Sequence, residues 1–154
     1  MIASAAPWEQ GLDFHRVVKA SLLMDSPRIA SPANPGVKPI ILKDLFNIAR
    51  RQEELPWQPF ADGVEVYWIY REPDGPAAAL LKYRPGSAIP SHDHHGFEHI
   101  LVLSGSQSDE NGLLETGSLM VHIAGTSHSV ASEEGCIVLA IYEKRAPNVA
   151  TRYE

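Results

Sequence analysis

The stretch that decides the fold is Gly86-Ser-Ala-Ile-Pro-Ser-His92-Asp-His94-His95-Gly-Phe-Glu98-His99-Ile-Leu-Val-Leu-Ser-Gly105. It places four histidines and a glutamate within eight positions, between a turn glycine and an apolar run. His92, His94 and Glu98 share one parity, so on an extended backbone their side chains face the same way. Position 96 has that parity too, and it is Gly96, so nothing bulky stands among the three. Two imidazoles and a carboxylate converging on a point suit a divalent transition metal. Histidine clusters also occur on solvated loops and in affinity tags, but this one is interior and broken by Asp93, Gly96 and Phe97.

Outward from the cluster the chain reads as β-structure. Glu98 to Leu103 is the strand that leaves it. Upstream, Val64 to Arg71 is rich in β-branched and aromatic residues, and Pro73-Asp-Gly-Pro76 turns it toward a partner strand at Ala77 to Arg84. Downstream, Asp109-Glu-Asn-Gly112 is a hairpin turn in which Asn-Gly suits positive φ. Ser118 to Ile123 follows, then a turn over Ala124 to Ser127 toward His128, and an apolar last strand from Cys136 to Glu143. Short strands at even spacing predict a sandwich or small barrel.

Before residue 60 the pattern changes. Residues 1 to 40 carry Pro27, Pro32, Pro35 and Pro39 and read as an extension, with Phe14 to Met24 fitting helix or strand equally. Ile41 to Arg51 predicts one short helix, with Leu42, Leu45, Phe46 and Ala49 on its apolar side. The expected division is an arm over 1–40 and a single domain over 41–154, with its core at about 60–145.

Composition narrows the function. A chain of 154 residues with net charge −6 does not favour nucleic acid or an anionic membrane as a partner. No apolar run approaches the roughly 20 residues of a membrane span. The N-terminus shows no basic region leading into an apolar stretch, and Cys136 is the only cysteine. A cytoplasmic location is the expectation.

These residues resemble a known family. Gly86, His92, His94, Glu98 and Gly105 fit the first cupin motif at every position. Gly117, Gly125 and His128 fit the second, in which Ile123 replaces a proline and Ser132 an asparagine. Tyr83-Arg-Pro-Gly86, Ser108-Asp-Glu110, Gly125-Thr-Ser-His128 and Glu134-Gly-Cys136 are similar to the ChrR-type cupins, a domain attached to some anti-sigma factors. The resemblance implies an all-β, single-domain jelly-roll β-barrel with one metal per chain (Fe, Zn, Mn or Ni). Its implied ligands are His92, His94, Glu98 and His128. Spacing supports the first three, and His128 rests mainly on the resemblance, with His122 as its rival. His95 and His99 fit solvent exposure and a structural hydrogen bond, or roles beside the metal. Tyr83 reads as core or pocket, and Cys136 as a buried thiol or a redox group.

Two functions follow from the resemblance, and no catalytic residue is assigned to either. One is a dioxygenase-like or carbon–carbon-cleaving enzyme acting on a small molecule. The other is a metal-dependent sensor or regulatory module. A homodimer is implied as well. Anti-sigma members carry a cysteine-based zinc module before the cupin, and no cysteine precedes Cys136, so sigma-factor binding is not expected.

Overall fold

The computed structural model describes residues 38–73 and 75–144, and all but Lys38 and Pro39 fall in the unit that begins at Ile40. The expected arm over 1–40 lies almost entirely outside the described residues. The order of elements is a short helix and then nine strands among those residues. Helix α1 is Ile48–Arg51; the strands are β1 Gln58–Ala61, β2 Val64–Arg71, β3 Ala77–Tyr83, β4 Ser87–Asp93, β5 Glu98–Asp109, β6 Gly112–Glu115, β7 Leu119–His122, β8 Ser127–Ser132 and β9 Cys136–Tyr142. They pair antiparallel in the order β1-β2-β3-β9-β5-β8-β4, with β6 and β7 also on β5. The sheet curls on itself because β5 pairs with β9 and β7 through its first half and with β6 and β8 through its second. This is the jelly-roll barrel of a single cupin domain.

Alternation along the strands divides two apolar clusters. Val64, Val66, Ala79, Leu81, Tyr83, Ile100, Val102, Cys136, Val138 and Ala140 face inward and fill the barrel. Leu80, Leu101, Leu103, Ile137, Leu139, Tyr67 and Ile69 face outward, where Leu45, Ile48, Leu55 and Trp57 cover them. Strands β3 and β9 are apolar almost throughout because both of their faces are covered. Tyr83 is therefore a core residue.

The helix differs from its sequence reading. Phe46 is exposed, and Ile48 is the buried residue. The α1 turn is flanked by 3-10 turns at Leu45–Asn47 and Gln52–Glu54. At three residues per turn, the covering stripe runs through 42, 45 and 48 rather than at α-helical spacing. Strand β1 has no counterpart in the sequence reading, because Pro59 argues against a strand there. It is an edge strand, where a missing N–H costs no ladder bond.

Register breaks on β1 at Pro59/Ala61, on β2 at Trp68/Tyr70, on β4 and on β5, and the last two serve the histidine cluster. On β5 the pairing with β9 shifts between Val102 and Ser104, leaving Leu103 as an extra residue. Inward positions change from even (98, 100, 102) to odd, so Gln107 and Asp109 turn into the barrel. Gly105 follows the bulge at φ 72, where a Cβ would collide with the carbonyl oxygen of Gly135. On β4 the pairing with β8 shifts between Ile89 and His92, and inward positions pass from 87 and 89 to His92. Among the described residues, no helix is long and apolar enough to cross a membrane.

Candidate metal centre

His92 leaves the end of β4, and His128 stands directly opposite it on β8. His94 lies in the connection between β4 and β5, and Glu98 opens β5. Burial alternates from His92 through Glu98, so the parity argument holds although the backbone is not one continuous strand. All four side chains are buried, and one ligand atom from each falls within 4.8 Å of the others. Gly96 has another role than the one expected. A Cβ there would press on Glu143 and the backbone of Lys144, beyond the end of β9. Glu143 holds this turn from both sides: its carboxylate accepts the Phe97 amide and its own amide donates to the Phe97 carbonyl.

Hydrogen bonds fix which ring nitrogen is free. His92 Nδ1 is 3.1 Å from the Pro90 carbonyl, which can only accept. The Thr126 hydroxyl donates to the Ile123 carbonyl at 2.7 Å, so at 2.9 Å it must accept from His94 Nδ1. His128 Nδ1 lies 3.3 Å from Asp109 Oδ2. In each ring Nδ1 carries the proton, and in the neutral form Nε2 presents a lone pair. These lone pairs point at one another and at a carboxylate. His128 Nε2 is 3.2 Å from His92 Nε2 and 3.4 Å from Glu98 Oε2. His94 Nε2 and Glu98 Oε2 stand 2.9 Å apart without hydrogen-bond alignment, and both atoms are buried with no partner.

Lone pairs gathered out of water repel unless a cation sits among them. Donors on an ion at about 2.0–2.2 Å stand roughly 3.0–3.5 Å from one another, which matches these separations. The residues thus fit a divalent ion and could hold one. Nδ1 donation to an oxygen acceptor is the arrangement that fixes ring orientation in histidine metal sites.

Without an ion, the carboxylates around His128 favour its protonated form. Burial alone would lower its pKa, but Glu98 and Asp109 together raise it. Burial likewise works to raise the Glu98 carboxyl, and the His128 and His94 rings outweigh it, holding Glu98 at about 2. Burial is the main cause of the lowered pKa of His92 and of His122.

Sequence reasoning missed Asp109. It closes a hairpin turn, as its sequence context suggests, and it is also a site residue: Oδ1 accepts the Asn111 amide at 2.7 Å, while Oδ2 faces His128. The hairpin turns on Glu110 and Asn111, and Gly112, not Asn111, takes the positive φ. Gln107 was missed too, and its buried amide oxygen has no partner. His122 is inward and adjoins the cluster, its ring 4.0 Å from that of His128. His95 is exposed, and His99 is half-buried on the outer face between Val121 and Ile141; neither joins the site. Cys136 is buried in the core, which pushes its thiol up to about 11. A thiol so protonated is a poor nucleophile.

Comparison with known proteins finds an anti-sigma factor and other cupins. The anti-sigma-E factor ChrR of Cereibacter sphaeroides is 33% identical over 96 residues, which are 60% of this chain and 44% of that protein's length. Rhodobacter sphaeroides SigE in complex with the anti-sigma ChrR is a solved relative, at 25% identity and TM-score 0.55, covering 92% of this chain and 70% of the other. An RmlC-like cupin protein of Ralstonia eutropha JMP134 is 27% identical, with TM-score 0.54, covering 60% and 65%. The expectation that sigma-factor binding does not apply is overturned by the first two. Missing cysteines remove one kind of zinc module, but a protein interface is set by surface residues, about which cysteine counts say nothing. The sequence model of the ChrR cupin-like domain matches residues 47–145, more than half of the 154, and the chain belongs to that family.

Proposed function

We propose that this chain is a metal-holding regulatory module of the anti-sigma kind, in which a divalent ion sits on His92, His94, Glu98 and His128 and the partner is a sigma factor. The observation that carries the reading is the likeness, at 25% identity and TM-score 0.55, to an anti-sigma factor solved with its sigma factor. Zinc is the ion we assign. Four buried protein donors, three imidazole and one carboxylate, suit a closed four-coordinate zinc site. Such a site binds without turnover and can report on whatever displaces a ligand or the ion. A cytoplasmic setting belongs to the same proposal, since a sigma factor acts there.

The dioxygenase-like reading needs an ion with open positions, and no observation of the site favours it over the closed one. Elemental analysis separates the two. Zinc as the bound metal supports the regulatory reading, whereas iron, manganese or nickel reinstates the enzyme. The partner is tested by purifying the tagged chain from its own host, metal-loaded and metal-stripped, and identifying by mass spectrometry what comes with it. A sigma factor recovered in one state and not the other is the expected result. Its absence from both states would sink the proposal.

A further inference from the structure

We propose that the barrel mouth holds a second divalent cation, bound by Asp109, His122 and the Nδ1 of His128, beside the first ion and sharing the His128 ring with it. Asp109 Oδ2 stands 3.3 Å from His128 Nδ1 and 3.7 Å from His122 Nε2. One ligand atom from each of the three residues lies within 4.8 Å of the others. The side chains of Asp109 and His128 are 2% exposed and that of His122 is 7% exposed. The Asp109–His128 pair stands at the separation of donors on one ion, and His122 would close in by a few tenths of an ångström, with water to complete the shell.

His122 carries most of the argument. It faces inward from β7, opposite Glu98 on β5, and belongs to neither cupin motif. Among the described residues, neither of its ring nitrogens makes a hydrogen bond, although a histidine buried for packing ordinarily finds a partner. Its ring neighbours are His128 and His94, at 4.0 and 4.7 Å between centroids, so it stands in the polar cluster and not in the apolar core.

The two sites meet at one imidazole. His128 turns Nε2 toward His92 and Glu98 and Nδ1 toward Asp109. An imidazole that has lost both N–H protons can bind a metal at each nitrogen. The Nδ1 proton that Asp109 accepts leaves to solvent as the second ion arrives, so two positive charges enter and one departs. Asp109 keeps Oδ1 on the Asn111 amide, which anchors the carboxylate while Oδ2 turns to the ion. Asp109 also lines a surface groove with Pro90, Glu110 and Ser129. Nitrogen and oxygen donors of this kind suit zinc or copper(II). The inference rests on the four-ligand site only through the shared ring, and His122 belongs to the second set alone.

The test counts ions per chain after zinc loading and desalting, in the full chain and in His122→Phe and His122→Gln. Copper(II) loading followed by electron paramagnetic resonance gives a second readout. The expected result is two ions in the parent and one in each variant. With copper, two ions coupled through the imidazole weaken the ordinary isolated-copper signal, and either variant restores it. One ion per chain in all three proteins overturns the second site and leaves the first standing. A second ion that survives both substitutions also overturns it, and no ion in any protein overturns both sites together.

Discussion

Strands β3 and β9 pair without interruption through seven consecutive residue pairs, whereas β4 and β5 each break register once. The unbroken pair is wall: its inward residues fill the barrel and its outward ones lie under the helix. The broken strands carry chemistry, because the bulges turn His92 and Asp109 inward at positions that strict alternation would have sent out. The unbroken β3–β9 pair serves stability, and the bulges on β4 and β5 serve the site, whereas the break on β2 lies in the wall. If that division is right, substitutions in the two regions should separate cleanly between melting temperature and metal affinity.

The largest effect should come from the bulged side. In a His122→Gln background, which leaves only the four-donor set, His94→Ala removes one of its donors, and we expect metal content to fall from near one ion per chain to near zero. Metal-stripped parent and variant should melt at similar temperatures, while only the parent gains on loading, by about 2.7 kcal/mol at a hundredfold excess of ion over Kd. A variant that keeps its ion would remove His94 from the site. On the wall, Leu80→Ala empties a fully buried position between the sheet and Ile48. It should cost about 2–5 kcal/mol in denaturant unfolding and leave metal affinity within twofold. A large loss of affinity there would mean that the two regions are coupled.

Residues that only orient a ligand come next. Asp109→Asn keeps the shape but replaces a charged acceptor opposite His128 Nδ1, so affinity for the first ion should fall about 10–100-fold. Thr126→Val removes the acceptor from His94 Nδ1 while its replacement fills the same space. Because Thr126 is neutral, the loss should lie near the lower end, about tenfold. Competition titration against a chromophoric chelator would order the three variants; an Asp109→Asn affinity equal to that of the parent would mean the bulge on β5 does not serve the metal.

The same division accounts for what the sequence disclosed. β2, β3 and β9 could be read from β-branched and apolar runs because their residues lie in the two apolar clusters. His92, His94 and Glu98 could be read because burial keeps one parity from 92 to 98 even across the loop. Asp109 could not, since a bulge changes parity and nothing near Leu103 marks it except Gly105, and a glycine at that position suits an ordinary turn equally well. Strand β8 was hidden for a different reason. Ser127 to Ser132 alternates small polar residues with His128 and Val130, and it gains strand character only by pairing with β4. The short helix is legible in the sequence, but its buried side is not, because 3-10 turns shift the period from 3.6 to 3.

The smallest effect concerns pH, and it sharpens the comparison because the histidines with shifted values, His92, His122 and His128, all lie at the site. In the metal-free protein the folded His128 pKa is raised, so its stabilising charge is fully present below the ordinary imidazole value and is lost as pH rises through the raised one. His92 and His122 are lowered by burial, so their contribution is present above the ordinary value and is lost as pH falls through it. The two losses lie on opposite sides of the ordinary imidazole value, so the metal-free melting temperature should pass through a shallow maximum near it. Glu98, held at about 2, adds stability that is present above its ordinary value and lost as pH falls toward that figure. Metal binding has no such maximum. An ion that takes His128 Nε2 must displace the proton there, so below the raised His128 value Kd should rise about tenfold per pH unit. The gap between metal-loaded and metal-free melting temperatures should therefore narrow steadily on acidification. A gap that stays constant from neutral to mildly acid pH would mean that no proton leaves the cluster when the ion enters, and that His128 is not among its ligands.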